Sequence, residues 1–487
     1  MGIVIKHSAW NFGITGAGFL LGAVNVLLLA TTYLDDEYYG LWGYVLSMAF
    51  LLFPLMSFGI HNTIVKNFAH FKTKKEKDTF LTQMLFWPLL IIIPFFVLLY
   101  FNQDQARLFI SRENQITGDF LWTIPLIAVF QGYFEIFYAW SKVHMKTIGG
   151  NFLKEVFYRL SATVMLILVA TQIITQVQFI YSLVLIYALR AFLMKIVAYR
   201  IYYPKWRWGK LLATKELITY SLFMIIAGSV GTAMLDLDKG MLNQFNEIEN
   251  IAYYNVAIFI AAVIAVPARG MAQVLHPLVA SYYAANNTID LEKLYKRSSL
   301  NLSIVSGFLL LIIVCNVNEF YKLLEPEFSI AIPVVYLISL VKFSESLLGS
   351  NNAILYNTNL YRVTLWMGLC LVLVAVGLNI WLIPIYGLVG AAIATCVAYL
   401  SYSLAKVLYV YHRLYIHPWT PQTWKSLLIV IVGVLLFVFW DFSLNVYLNI
   451  ALKSILITAY YILAILKGKV SYELTGLYQK YRIKKTA

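Results

Sequence analysis

The chain has 487 residues, 61% hydrophobic and 12% charged, with a formal net charge of +14 and a mean hydropathy of +0.75. Soluble globular proteins carry about 25% charged residues, so this composition excludes a soluble domain protein and requires a chain solvated largely by lipid. The positive charge does not signal nucleic acid, because Lys and Arg concentrate in alternate loops, the pattern of cytoplasmic retention in membrane proteins.

Apolar runs of about 20 residues recur along the whole chain, each long enough to cross a ~30 Å hydrocarbon core as a helix. The sequence therefore predicts an all-α integral membrane protein of about 14 transmembrane helices. They lie near 8–33, 39–65, 79–101, 120–141, 150–172, 178–200, 215–243, 251–281, 296–315, 329–356, 361–383, 386–410, 424–440 and 444–466. The count depends on three turns, Gln172–Gln178, Pro384–Gly387 and Asp441–Ser443. The first run is too long for a signal-peptide core and reads as an uncleaved span. Lys6 occupies the position where a myristoylation signal needs Ser or Thr.

Lys66, Lys72, Lys74, Lys75 and Lys77 follow span two, and Lys142 and Lys146 follow span four. Arg200, Lys205, Arg207, Lys210 and Lys215 follow span six, and Lys293, Lys296 and Arg297 follow span eight. Opposite loops hold Asp35, Asp36, Glu37, Glu247 and Glu249, with few cations. Both termini are thus expected in the cytoplasm. The loops on the other side are short, leaving no room for an extracytoplasmic catalytic domain, so the chain is not read as an enzyme. Cys315, Cys370 and Cys396 lie in apolar helices at no metal or redox spacing and read as packing residues.

The stretch from Ala227 to Asn286 copies the N-terminus. An offset of about 215 residues lays Gly13 on Gly228, Gly16 on Gly231, Tyr38–Tyr39 on Tyr253–Tyr254 and His61 on His276. A slightly smaller offset lays Glu135 on Glu345 and Thr147 on Asn357. Two pseudo-symmetric six-helix lobes follow, 1–205 (spans one to six) and 206–415 (spans seven to twelve). Residues 416–487 add a helix pair and a basic tail. Parallel repeats of this kind are related by an axis along the membrane normal and place substrate between the halves.

Charges inside the apolar runs are the candidate site. Arg269 lies beyond the midplane, where a cation must face protein or a watery cavity, and Pro267 and Gly270 beside it favour a local helix opening. It lines a cavity or pairs with an intramembrane carboxylate. Asp236, Asp238 and Lys239 end span seven, and neighbours Asp238 and Lys239 point about 100° apart. Lys342 and Glu345 share one helical face and can neutralise each other. Glu135 has candidate partners in Lys154, Arg159 and Arg190. Together these cations suggest a cationic lining suited to an anionic headgroup. His61 and His276 share ancestry rather than proton coupling. Trp10, Trp42, Trp122, Trp140, Trp206 and Trp208 read as interfacial belt residues, and Gly13, Gly16, Gly18 and Gly22 as a close helix contact.

The segments SAWNFGITGAGFLLGAVNVLLLATTYL, DEYYGLWGYVLSMAF and LDLDKGML followed by IAYYNVA carry a family likeness. Through them the chain resembles Wzx-type polysaccharide-biosynthesis flippases of the multidrug/oligosaccharidyl-lipid/polysaccharide (MOP) transporter superfamily. Asp238–Lys239 and Tyr253–Tyr254 match that pattern. The resemblance implies a V-shaped pair of lobes in the bacterial cytoplasmic (inner) membrane that moves undecaprenyl-diphosphate-linked oligosaccharide outward. Its partners would be the lipid-linked substrate, membrane lipid and glycan-polymerising or glycosyltransferase machinery, with no nucleic acid. No cofactor is implied; a proton or sodium gradient would couple through Glu135 and Glu345. Span one carries no Arg or Lys between Asn11 and Tyr33, a departure from the lipid II subfamily, and no carboxylate before Asp35, a departure from drug/cation antiporters. The antiporter is the alternative reading, and a membrane glycosyltransferase or polymerase a more distant one.

Overall fold

A computed structural model describes residues 2–209, 214–358, 360–442 and 444–471; within them, the side-chain surroundings of 2–9, 12, 226–235, 273, 361 and 362 lie outside the description. Lys210, Gly228 and Gly231 (in their surroundings) and the tail cations from Lys480 onward are among the residues left outside. Helix occupies each of the fourteen expected ranges, and no strand occurs among the described residues. Nine described helices are long and apolar enough to cross a membrane, and Pro421–Phe437 is a shorter apolar one. Their outward faces carry side chains such as Leu185, Leu435 and Leu463, all more than half exposed, which water would not solvate but lipid does. The chain is a multi-pass membrane protein.

The three uncertain turns all exist. Gln172 takes a left-handed φ of 58° between Tyr158–Ala170 and Gln176–Ile201. Helix runs on both sides of Gly387 within Tyr361–Leu414, but Gly387 itself has φ 57° and ψ −133°, a conformation only glycine adopts cheaply, and so separates two helices. The chain turns again between Phe437 and Val446.

Several spans are broken inside, where sequence periodicity reads straight through. Asp36–Met56 gives way to Ile60–Asn67 at Gly59, whose φ is 62°. Ile332–Leu347 gives way to Asn351–Asn357 at Gly349, whose φ is 54°. A Cβ at Gly349 would lie 2.5 Å from the Ser299 amide nitrogen, so both backbone conformation and space require glycine. Wide π turns interrupt helices at Asn25–Leu29 and Leu153–Phe157, and a 3-10 turn at Val263–Ala265 precedes Pro267. The helix does break beside Pro267, and one carbonyl of the turn is taken up: Ser306 Oγ donates to the Ile264 carbonyl at 2.9 Å.

Contacts group the chain into two units, Met1–Asn255 with Asn379–Gly387, and Val256–Leu378 with Leu388–Ala487. The repeat boundary expected at 205/206 concerns ancestry; the contact grouping differs because Thr214–Phe245 packs along Asp36–Met56. In the first unit Thr123–Val143 is central, packed against Asp36–Met56, Ile60–Asn67 and Gln176–Ile201. In the second, Thr288–Tyr321 is central, packed against Ile332–Leu347 and the C-terminal pair Pro421–Phe437 and Val446–Lys467. Tyr461 Oη donates to the Ile304 carbonyl at 2.7 Å, and Asn316 Nδ2 to Ser454 Oγ at 3.3 Å. The extra pair is therefore part of the second unit's core, not an appendage.

Three sequence expectations change. Trp42 and Trp140 are core residues, not belt residues, while Trp10, Trp206 and Trp208 are exposed as a belt requires. Cys315 and Cys396 are buried, but Cys370 is exposed and does not pack inside the protein. Of the glycine stripe, Gly18 makes a close approach, its Cβ position lying 2.5 Å from the Glu155 carbonyl, whereas Gly13 and Gly16 face open space.

Candidate functional site

The second unit holds a cavity of about 240 Å³ lined by Arg269, His276, Lys342, Glu345, Ser350 and Asn352 among others. Arg269 enters it one turn after the Val263–Ala265 break, from Val266–Ala284. Its side chain is exposed, and no carboxylate of the described residues lies within 4.0 Å of it. Of the two readings open for Arg269, the geometry gives the cavity lining. Lys342 and Glu345 do form the expected pair, Nζ to Oε2 at 3.6 Å, with Lys342 buried and Glu345 a third exposed. The Gly349 break turns Ser350 and Asn352 toward the same space. Asn357 Nδ2 lies 2.9 Å from His276 Nδ1.

Behind this wall stands Lys406, buried, its Nζ donating to Asn352 Oδ1 at 3.0 Å and lying 4.4 Å from the Tyr402 ring centroid. It is the one Lys between Gly387 and Leu414, a signal that the sequence analysis left out. The cavity is at the small end for ligand sites and has room for a compact charged group. An anion about 4 Å from an unpaired guanidinium gains about 4 kcal/mol at an effective dielectric of about 20. Lys342, already neutralised by Glu345, offers much less. Arg269 therefore dominates what the cavity attracts.

The candidate charges of the first unit have partners inside it. Glu135 is buried and accepts from Lys154 Nζ at 2.8 Å, with Lys142 Nζ at 3.8 Å. Lys154 was an expected partner; Lys142, two turns along the same helix, was not. Arg159 instead pairs with Glu155, Nη1 to Oε2 at 2.7 Å, within its own helix. Arg190 reaches Glu135 only through Gln131, whose Nε2 donates to Glu135 Oε1 at 3.5 Å. It is buried, donates to Gln131 Oε1, and lies over the Phe134 and Tyr187 rings at 4.3 and 4.5 Å. Aromatic faces and one amide hold that cation in place of a carboxylate. His61 has Ser57 Oγ 3.3 Å from Nδ1 and Asn62 Nδ2 3.1 Å from Nε2.

Within span seven, Lys239 pairs with Asp236 (3.8 Å), which accepts from Ser47 Oγ at 2.9 Å. Asp238 points elsewhere, buried, accepting 2.7 Å bonds from Tyr254 Oη and Asn379 Nδ2. Tyr39, the copy of Tyr254, donates to the Val26 carbonyl at 2.9 Å. Where the second repeat supplies a carboxylate, the first supplies a backbone carbonyl in the Asn25–Leu29 π turn. The nine candidates do not form one cluster: Arg269, Lys342 and Glu345 line the cavity, Glu135 holds Lys154 and, through Gln131, Arg190, while Arg159, Asp238 and Lys239 each take other partners. Among the described residues no three His, Cys, Asp or Glu side chains gather as a metal site.

Long apolar helices, with a cavity that holds an exposed Arg, make this a polytopic membrane protein. The chain belongs to the polysaccharide biosynthesis protein family, whose model matches residues 4–283. It is 24% identical over 478 residues to an uncharacterized membrane protein of Methanocaldococcus jannaschii, covering 88% of this chain and 89% of that one. Its fold is similar to that of the lipid II flippase MurJ in an inward closed conformation, with a TM-score of 0.69 and 16% identity over 96% of this chain and all of that one. An inward-facing multidrug resistance MATE family transporter of the MOP superfamily matches with a TM-score of 0.58 and 13% identity, over 85% and 95% of the two chains. A MOP superfamily transporter from Pyrococcus furiosus, described as having a binding pocket of reverse polarity, matches at 0.52 and 14% over the same shares.

Proposed function

We propose that the protein is a flippase that carries a polyprenyl-diphosphate-linked oligosaccharide, of the undecaprenyl type, across the bacterial cytoplasmic membrane for polysaccharide assembly. One observation carries the reading: Arg269 stands exposed in a cavity, with no carboxylate of the described residues within 4.0 Å. Facing the cavity, the guanidinium avoids the cost of about 2.5–3.5 kcal/mol or more that lipid would impose, and its charge stays free for an anion. A diphosphate supplies that anion and replaces its lost hydration with charge-assisted hydrogen bonds. Lys342 adds a second donor if Glu345 protonates or rotates away, and Lys406 a third through Asn352. The glycan then occupies water and the polyprenyl tail lipid, while alternating access moves the diphosphate between leaflets. Glu345, a third exposed in the cavity, is the proposed point of proton or sodium coupling, and Glu135 the structural counterpart. Glycan-polymerising enzymes would take up the product.

Arg269→Ala tests the reading. The variant is expected at wild-type abundance in the membrane, with lipid-linked oligosaccharide accumulating on the cytoplasmic leaflet. Arg269→Lys keeps the charge but loses the planar fork that grips phosphate bidentately, so it restores transport only in part. Normal surface glycan in the Ala variant defeats the proposal. Normal glycan with lost export of organic cations would favour an antiporter.

A further inference from the structure

A second set of exposed cations lies in the first unit and includes none of the residues that line the Arg269 cavity. Two grooves flank Arg200 in the last turn of Gln176–Ile201. One, of about 410 Å³, runs between Arg200 and Lys146. The other, of about 340 Å³, is walled by Phe192, Lys195, Tyr199 and Tyr203. No carboxylate lines either groove. Lys146, Lys195 and Arg200 are exposed, and none has a carboxylate among the described residues within 4.0 Å. Lys195 lies 5.5 Å from the Tyr199 ring. The three cations come from two elements, the loop after Thr123–Val143 and the end of Gln176–Ile201, so a single ligand would bridge them.

What leads into the grooves identifies the occupant. Tyr181, Leu185, Leu189 and Phe192 follow one another along one face of the same helix and are 45–67% exposed. At 1.5 Å per residue that stripe is ~16 Å long, about half of a ~30 Å hydrocarbon core. It has the length of one leaflet and ends at Lys195. Exposed Tyr203, Trp206 and Trp208 follow where the chain leaves the helix, as at a membrane–water boundary. A stripe for an acyl chain thus continues into a cationic pocket for a headgroup.

We infer that the grooves around Arg200 bind the phosphodiester headgroup of an anionic membrane phospholipid, with an acyl chain lying along Tyr181–Phe192. Lys195 and Arg200 hold the phosphate, and Lys146 closes the other side. A soluble anion would have no use for the stripe, and a soluble protein could not reach along it.

The test uses the full chain in nanodiscs of mixed phosphatidylglycerol and phosphatidylcholine, with retained lipids identified by native mass spectrometry. Wild-type protein should retain phosphatidylglycerol over phosphatidylcholine. Each cation removed should lower that preference roughly fivefold, so Lys195→Gln/Arg200→Gln loses more than an order of magnitude. Lys72→Gln/Lys74→Gln, elsewhere on the surface, should keep it, and Arg200→Lys should keep most of it. Inorganic phosphate should not displace the lipid. An unchanged preference in the double variant, equal loss in the Lys72/Lys74 control, or displacement by phosphate alone overturns the assignment. Melting temperature in detergent, equal to wild type, shows that the double variant is folded; if it is not, Lys195→Gln alone is expected to show the fivefold loss, and its absence also overturns the assignment. Lipid retention is read without transport, so its failure leaves the Arg269 proposal standing.

Discussion

Glu135 and Glu345 occupy matching positions in the two repeats but face opposite electrostatic problems. In the first unit the carboxylate is the buried partner, 7% exposed, while Lys142 and Lys154 are 37% and 41% open. In the second the base is buried, with Lys342 7% and Glu345 33% exposed. Removing the exposed member of a pair strands the buried one, which costs up to about 3–5 kcal/mol, while removing the buried member leaves an ion that water can solvate. Lys154→Met should therefore lower the melting temperature more than Glu135→Gln, although Lys142 softens the loss. Glu345→Gln should lower it more than Lys342→Met. Thermal unfolding of the four variants in detergent checks this, and the reverse order in either pair defeats it. Sequence singled out both acids because intramembrane carboxylates are rare. Which member of each pair is buried depends on neighbouring helices and was not written in the spacing.

At the scale of elements, helix contacts turn on single glycines. The helix start at Gly2–Val24 touches the Leu153–Phe157 π turn at Gly18, where an added Cβ would press on the Glu155 carbonyl and the Arg159 guanidinium. Gly18→Ala is expected to destabilise by about 1–3 kcal/mol through overpacking. Gly13→Ala, facing open space, should be neutral or gain up to about 1 kcal/mol in helix propensity. Melting temperatures of the two purified variants separate the sites; equal losses would show that the close approach at Gly18 carries no energy. The two glycines were indistinguishable in the sequence, because a small-residue stripe specifies a face but not which turn of it meets a neighbour.

At the scale of the molecule, loop charge sets the expected orientation in the membrane. Cys315, Cys370 and Cys396 must first be replaced, since Cys370 is exposed. Single cysteines then placed between Lys72 and Lys77 should resist impermeant thiol reagents in intact cells, while those near Asp36 or Glu247 should react. The opposite labelling pattern would invert the orientation and with it the direction of transport proposed here.

Helix positions, the membrane class and the intramembrane charges were legible from the sequence alone, because the hydrophobic period and the cost of burying charge in lipid act on each segment separately. The same holds for the turn at Pro384–Gly387. The internal breaks at Gly59 and Gly349 were not legible, since apolar composition continues through them and only packing makes them necessary, whereas Pro267 and Gly270 pointed to the one at Val263–Ala265. Nor was the sorting of the charges. Lys342 with Glu345 followed from i, i+3 spacing, but Asp238 turned to Tyr254 and Asn379, and Arg190 settled among aromatic rings. Those choices were made by tertiary structure, because a side chain in lipid takes whichever partner the neighbouring helix brings within about 3 Å, whatever its distance along the chain.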